Sequence, residues 1–187
     1  MNKRLIIIAG ANGTGKTTLA NEFLKKNRIT FLNADNIAIS MDKDPEKNRI
    51  KAGKKFIIKL DSCITTQKSV AIESTLAGKY LLKTIKRVKK LGYSVSIIYF
   101  FVDSPAIALA RIKSRVEAGG HNILKEDVVR RFSRSKNNFW TLYRPLANEW
   151  ALFYNGMERL IPVASGGKKA IDIINEELFS LFNKEKT

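Results

Sequence analysis

The chain has 187 residues, 44% of them apolar and 9% aromatic, which excludes a disordered chain and suits one domain with a single sizeable core. No apolar run approaches the roughly 18 residues that span a membrane. Cys63 is the only cysteine, so no intrachain disulfide forms and a cytoplasmic location is expected. Thirty-four basic residues against 17 acidic give +17, a balance that suits an anionic partner: a nucleic acid, a phosphorylated small molecule, or simply a lysine-rich solvated background.

Taken in chain order, RLIIIA (4–9) reads as a strand buried on both faces and TTLANEFLKK (17–26) as a helix. The opening MNKRLIIIAGA mimics an export signal, but its apolar run is better explained as the strand that feeds the loop described below. ITFLN (29–33) reads as a second strand. Asp44-Pro45 suits a cap and first helical residue, opening a long helix through about Thr66. SVAIE (69–73) is a third strand and 78–91 a helix whose apolar stripe is Leu81, Leu82, Ile85 and Val88. SVSIIYFFV (94–102) is a fourth strand, with Asp103-Ser104-Pro105 capping the next helix. The runs EWALFY (149–154) and ERLIPVA (158–164) precede a closing helix expected over about 168–182. Alternating strands and helices predict an α/β fold: a doubly wound parallel β-sheet covered on both faces, as one domain over 1–187.

Between the first strand and helix stands GANGTGKTT (10–18), in which Gly10, Gly15, Lys16 and Thr17 fill every fixed position of G-x-x-x-x-G-K-[ST]. The backbone of Gly10, Ala11, Asn12, Gly13, Thr14, Gly15, Lys16, Thr17 and Thr18 is thus expected to cradle a nucleoside triphosphate at a helix N-terminus. Lys16 reaches the outer phosphates and the Thr17 hydroxyl is placed to hold Mg²⁺. The fold predicted is that of a P-loop NTPase. No N-K-x-D string suits a GTPase, and a motor or transporter ATPase needs more chain. A kinase for a small acceptor, with ATP and Mg²⁺, fits the length.

Phosphoryl transfer needs an aligned acceptor, positive charge and a group that takes the acceptor's proton. Three acids end strands on the expected reacting edge: Asp35, Glu73 and Asp103. Asp35 suits either a helix cap or a general base. Glu73 closes a buried run and needs a partner there, such as an acceptor hydroxyl or Mg²⁺ water. Asp103 is read as a cap. Arg111 and Arg115 share a helix face at i, i+4, and Arg130, Arg131 and Arg134 follow the Gly119-Gly120 break. Two arginine-bearing helices over about 111–138 predict a lid closing on phosphates, a solvated basic pair or a nucleic-acid face. His121, the only histidine, is given a structural role at the turn.

IIIAGANGTGKTT, FLNADNIA, VAIESTLAGKY, LGYSVSIIYFFVDSPAIALARIKSRVEAGGH and VVRRFSRS, in that order, resemble the zeta-toxin-like P-loop kinases over about residues 4–165. The resemblance implies a nucleoside-monophosphate-kinase-like sheet with an Arg-rich helical lid. It also implies toxin–antitoxin pairing, and transfer of the ATP γ-phosphoryl group to UDP-N-acetylglucosamine in the presence of Mg²⁺. By the same resemblance Asp35 is the base and Glu73, with Thr75 beside it, holds the acceptor. Lid arginines (Arg115, Arg131, Arg134) bind phosphate with Lys16. Arg111-x-x-x-Arg115 also resembles the nucleoside monophosphate kinase lid entry, which implies that Arg111 stacks on adenine and Arg115 touches phosphate. Beside this kinase of a small anionic acceptor, the charge keeps open a nucleic-acid-associated ATPase or polynucleotide kinase. A nucleotide-gated interaction module without transferase activity is a third reading.

Overall fold

The computed structural model describes residues 3–18, 20, 29–41, 45–120, 122–156, 159–168 and 170–184. Most of the helix expected over 17–26, the Asp44 cap and His121 lie outside the described residues. Five strands run parallel: β1 (Arg4–Ala9), β2 (Thr30–Leu32), β3 (Val70–Ser74), β4 (Ser94–Phe101) and β5 (Glu149–Asn155). The sheet continues into β6 (Leu160–Gly167) and β7 (Ile171–Ile173), both antiparallel, in the order β2-β3-β1-β4-β5-β6-β7. The expected parallel sheet is thus present in β1–β5, and an antiparallel edge that was not foreseen extends it. An apolar run such as LIPVA carries no record of strand direction. The short 156–159 connection decides it, because a parallel partner needs a crossover of a dozen or more residues.

Around the sheet lie α1 (Ala34–Ile39), α2 (Pro45–Thr65), α3 (Leu81–Lys90), α4 (Pro105–Glu117), α5 (Lys125–Asn138) and α6 (Glu176–Lys184). A π-helical turn at Phe139–Tyr143 continues α5. The main core covers one face, where Phe56, Leu60 and Ile64 of α2 and Leu81, Ile85 and Val88 of α3 pack on alternate strand residues. Tyr99, Phe139 and Phe182 close it with stacked and edge-on rings. The closing helix begins later than expected. Ile171 and Ile173 extend the sheet edge first, and Asn175 then caps α6 by accepting from the Leu178 N–H at 2.9 Å. Among the described residues no helix is long and apolar enough to cross a membrane.

Three helices end in the same Schellman geometry. After α3 the Tyr93 N–H bonds the Val88 carbonyl, and after α4 the Gly120 N–H bonds that of Arg115. The left-handed residue is Gly92 (φ 80°) in one and Gly119 (φ 83°) in the other. After α2 the Lys68 N–H bonds the Cys63 carbonyl, but the left-handed residue is Gln67 (φ 55°). A side chain costs roughly 1–2 kcal/mol in that region. Gln67→Gly is therefore expected to raise stability by roughly 0.5–1 kcal/mol after the added chain entropy of glycine is offset. The shift in urea midpoint measures it, and a lowered midpoint contradicts it.

Candidate active site

The carboxyl ends of β1, β2, β3 and β5 meet around one open cleft of about 510 Å³. Its floor is the loop after β1. Gly10, with φ 141°, lies so close to β4 that a Cβ would stand 2.2 Å from the Phe100 carbonyl oxygen. Gly15, with φ 84°, faces Asn155 at the end of β5, where a Cβ would meet the amide nitrogen at 2.3 Å. Gly10 is thus required by backbone space as well as by conformation, and Gly15 by its left-handed φ, with the Asn155 side chain as its neighbour. The chain is helical from Lys16, so the N–H groups of the first turn face the cleft.

Within the cleft Lys16 is 6% exposed and donates to the Ala11 carbonyl at 2.7 Å, with Glu73 at 3.9 Å. Thr17 Oγ1 donates to the Glu73 carboxylate, at 3.0 and 3.1 Å from its two oxygens. Burial pushes the Glu73 carboxyl up, against the pull of Lys16 and the Thr17 and Asn33 hydrogen bonds. Burial likewise pushes the Lys16 ammonium down, against Glu73 and Asp35. An ammonium and a carboxylate held this close out of water are each other's partial compensation.

Asp35 is not the cap of α1. The cap is Asn33, extended at φ −130° and ψ 124°, whose Oδ1 accepts from the N–H of Asp35 (2.7 Å) and of Asn36 (3.2 Å). Its other amide atom, Nδ2, donates to Glu73 at 2.7 Å. Only an amide does both, since an aspartate at 33 would set a second carboxylate against Glu73. Asp35 is left exposed in the first helical turn, bordering the cleft with Glu73 and Lys16. Asp103 is no cap either. Ser104 accepts from the Ile107 N–H to start α4, while Asp103 takes the Tyr154 hydroxyl at 2.7 Å.

Opposite Asp35, α4 supplies Arg111 and Arg115 to the cleft wall. Arg111 is fixed by donating to the carbonyls of Asn155 (3.0 Å) and Gly156 (2.9 Å). Arg131 and Arg134 of α5 do not border the cleft. Arg131 bonds Asp127 at 2.8 Å on its own helix. The end of α5 is fastened to the 75–78 loop: Ser135 bonds the Thr75 carbonyl, and Asn138 those of Leu76 (2.8 Å) and Ala77 (3.1 Å). Tyr143 adds the Gly78 carbonyl at 2.6 Å, and burial pushes its phenol up to about 12, so it remains a donor at neutral pH. Of the arginine-rich stretch, the α4 half stands at the cleft and the last turn of α5 is part of the frame. Thr75 belongs to that frame as well, outside the cleft wall, and Gly10, Ala11 and Thr14 lie behind the wall that Asn12, Gly13, Gly15 and Thr18 help to form.

Asn155 and Gly156 carried no signal in the sequence beyond a turn-forming pair after a strand. Asn155 Nδ2 donates to the Thr14 carbonyl at 2.9 Å across 141 residues, holding the phosphate loop from the far side. Replacing Asn155 by Ala is expected to weaken ATP binding by about tenfold, the loss of one hydrogen bond of 1–1.5 kcal/mol, with the fold retained. Fluorescent-nucleotide titration reads it; unchanged affinity would remove Asn155 from the site. Asn12 adds one further feature: its Oδ1 is buried without a hydrogen-bond partner, a cost of about 1–3 kcal/mol that a donor arriving in the cleft would relieve.

An AAA-domain family model matches residues 5–137, from β1 through nearly all of α5. The chain belongs to that AAA-domain family. An uncharacterized protein of Haemophilus influenzae is 34% identical over 131 residues, covering 70% of this chain and 92% of that one. Among solved structures, the AvrRxo1-ORF1:-ORF2 complex with ATP is similar over the whole chain at TM-score 0.75 and 18% identity. This chain spans 65% of the length of that neighbour. A chain of the PezAT chromosomal toxin–antitoxin system of Streptococcus pneumoniae is similar over 98% of this chain and 79% of its own, at TM-score 0.62 and 17% identity. The fold is thus the P-loop kinase-like one. The likeness to these solved structures is one of fold.

Proposed function

We propose that this protein is an ATP-dependent phosphotransferase acting on a hydroxyl of a small acceptor. One observation carries the reading: Lys16 and Thr17 of a complete phosphate loop share a cleft with two carboxylates, Glu73 and Asp35, and with Arg115. In the proposed reaction Asp35 takes the acceptor's hydroxyl proton as that oxygen bonds the γ-phosphorus. The bond to the β–γ bridging oxygen breaks, and ADP leaves with the electron pair. Lys16 and Arg115 balance charge on the transferred group. Arg111 and the Asn155–Gly156 turn would receive the nucleoside end. Arg131 and Arg134 add to the phosphate site only if α5 pivots about its fastened last turn.

The donors present fit Mg²⁺. Thr17 and Glu73 offer oxygen only, and no cluster of three acidic, histidine or cysteine side chains occurs among the described residues. That suits an ion that keeps waters and takes phosphate oxygens, which it would polarise when bound. UDP-N-acetylglucosamine is the acceptor to try first, on the strength of the VAIESTLAGKY and RVEAGGH strings. A protein partner of antitoxin type belongs to the same reading, in keeping with the two-component neighbours.

Incubation with γ-labelled ATP and a panel of nucleotide sugars, nucleosides and oligonucleotides tests the reading. Label on a small hydroxylated acceptor is expected. The +17 charge favours one second reading, a polynucleotide kinase, for which the label would sit on an oligonucleotide and binding would fall log-linearly with salt. ATP binding with no transfer to any acceptor would overturn both and leave a nucleotide-gated module.

A further inference from the structure

Helix α2 carries apolar residues on two faces. Ala52, Phe56, Leu60 and Ile64 follow one another four residues apart and are buried in the main core. Ile50, Ile57 and Ile58 point elsewhere and are 77%, 50% and 68% exposed. At about 100° per residue these three fall within an arc of about 100°, centred roughly 130° from the buried row. Lys51, Lys55 and Lys59, all exposed and again four apart, run along the side of this arc. Among residues 50–61, two charged residues fall inside the arc: Asp61, ion-paired to Arg87 of α3, and Lys54, exposed and of the same sign as the lysine row. Exposed isoleucines standing singly need no explanation, but three on one arc beside a lysine row form a patterned surface.

We propose that this face of α2 docks an acidic amphipathic helix from a partner protein. The isoleucines, at i, i+7 and i+8, are spaced as the anchors that receive the apolar row of such a helix. The lysine row meets the carboxylates on the partner's flank. A second copy of this chain is a poor occupant, because it would bring another +17 and another lysine row to the same place. A nucleic acid would leave the isoleucines unused, since single strands are held by aromatic stacking and the arc has no aromatic residue. A membrane-surface helix inserts its main apolar face, and here that face is buried in the core. The surface is independent of the phosphotransferase reading, because none of its residues borders the cleft.

The test uses a labelled synthetic peptide with leucines at i, i+3, i+4 and i+7 and glutamates on the flanks, beside a scrambled peptide of the same composition, at physiological salt. The helical peptide is expected to bind with anisotropy saturating in the micromolar range. The Ile57→Ser/Ile58→Ser and Lys51→Glu/Lys55→Glu double variants should each weaken it by about tenfold or more. A peptide with lysines in place of glutamates should recover binding to the Lys→Glu variant alone. ATP binding, unchanged in both variants, certifies the fold. Equal binding of the scrambled peptide overturns the proposal, as do variants without effect. So does isoleucine-dependent binding to phosphatidylserine vesicles without peptide binding, or a dimer in sedimentation that the serine variant disperses.

Discussion

Asp35→Asn is expected to lower acceptor-dependent turnover by about 10²–10⁴-fold, the range for loss of a positioned general base, while ATP binding stays near wild type. The fold has little at stake in the change. Asn33 caps α1, so the Asp35 side chain holds no backbone N–H, and it is exposed. What the helix loses is one favourable first-turn charge, about 0.3–1 kcal/mol. What the cleft loses is the proposed proton acceptor, a charge felt at both Lys16 and Glu73. The fall should appear in kcat, with KM for ATP little changed. A folded Asp35→Asn protein that turns over at the full rate would sink the assignment.

That variant also marks where the sequence stopped being legible. The phosphate loop was legible because its conformation forces residue types: Gly10 lies against the Phe100 carbonyl, and both Gly10 and Gly15 hold a positive φ that favours glycine. Glu73 was legible as a carboxylate in need of partners, and it has Thr17, Asn33 and Lys16. The cap of α1 was not. Asn33 and Asp35 are both good caps two residues apart, and the choice is made by Glu73, which arrives from β3 and accepts from an amide but repels an acid. The same limit applies to Asn155 and to the fastening of α5 by Ser135, Asn138 and Tyr143. Each is a polar residue whose role is set by a backbone carbonyl 60 or more residues away. The parallel half of the sheet followed from helix–strand alternation. The antiparallel edge did not, since alternation says nothing of direction once the crossover helices end.

Lys16→Met is expected to cost 10²-fold or more in kcat/KM, as the proposed contact to the outer phosphates is removed. It also has a consequence for stability that the chemistry alone does not suggest. Burial holds the Glu73 carboxyl above the usual carboxylate range, and Lys16 is the first influence opposing it. A carboxyl raised on folding binds more protons in the native state than in the unfolded one between the two pKa values. Stability therefore falls as pH rises through that window and is fully present below it. Removing the Lys16 charge leaves the raising effect of burial less opposed and widens the window upward. Methionine nearly matches the volume of the lysine stem, so packing is kept while the charge goes. The urea midpoint of Lys16→Met should then decline more steeply than wild type from the carboxylate range towards neutral pH. Adding Glu73→Gln should flatten the decline, because the titrating group is gone. Profiles of wild type and Lys16→Met that run parallel would show that the two charges do not compensate each other in the folded chain. Profiles that diverge, with activity lost in both variants, tie the ion pair to the phosphate loop it sits beneath.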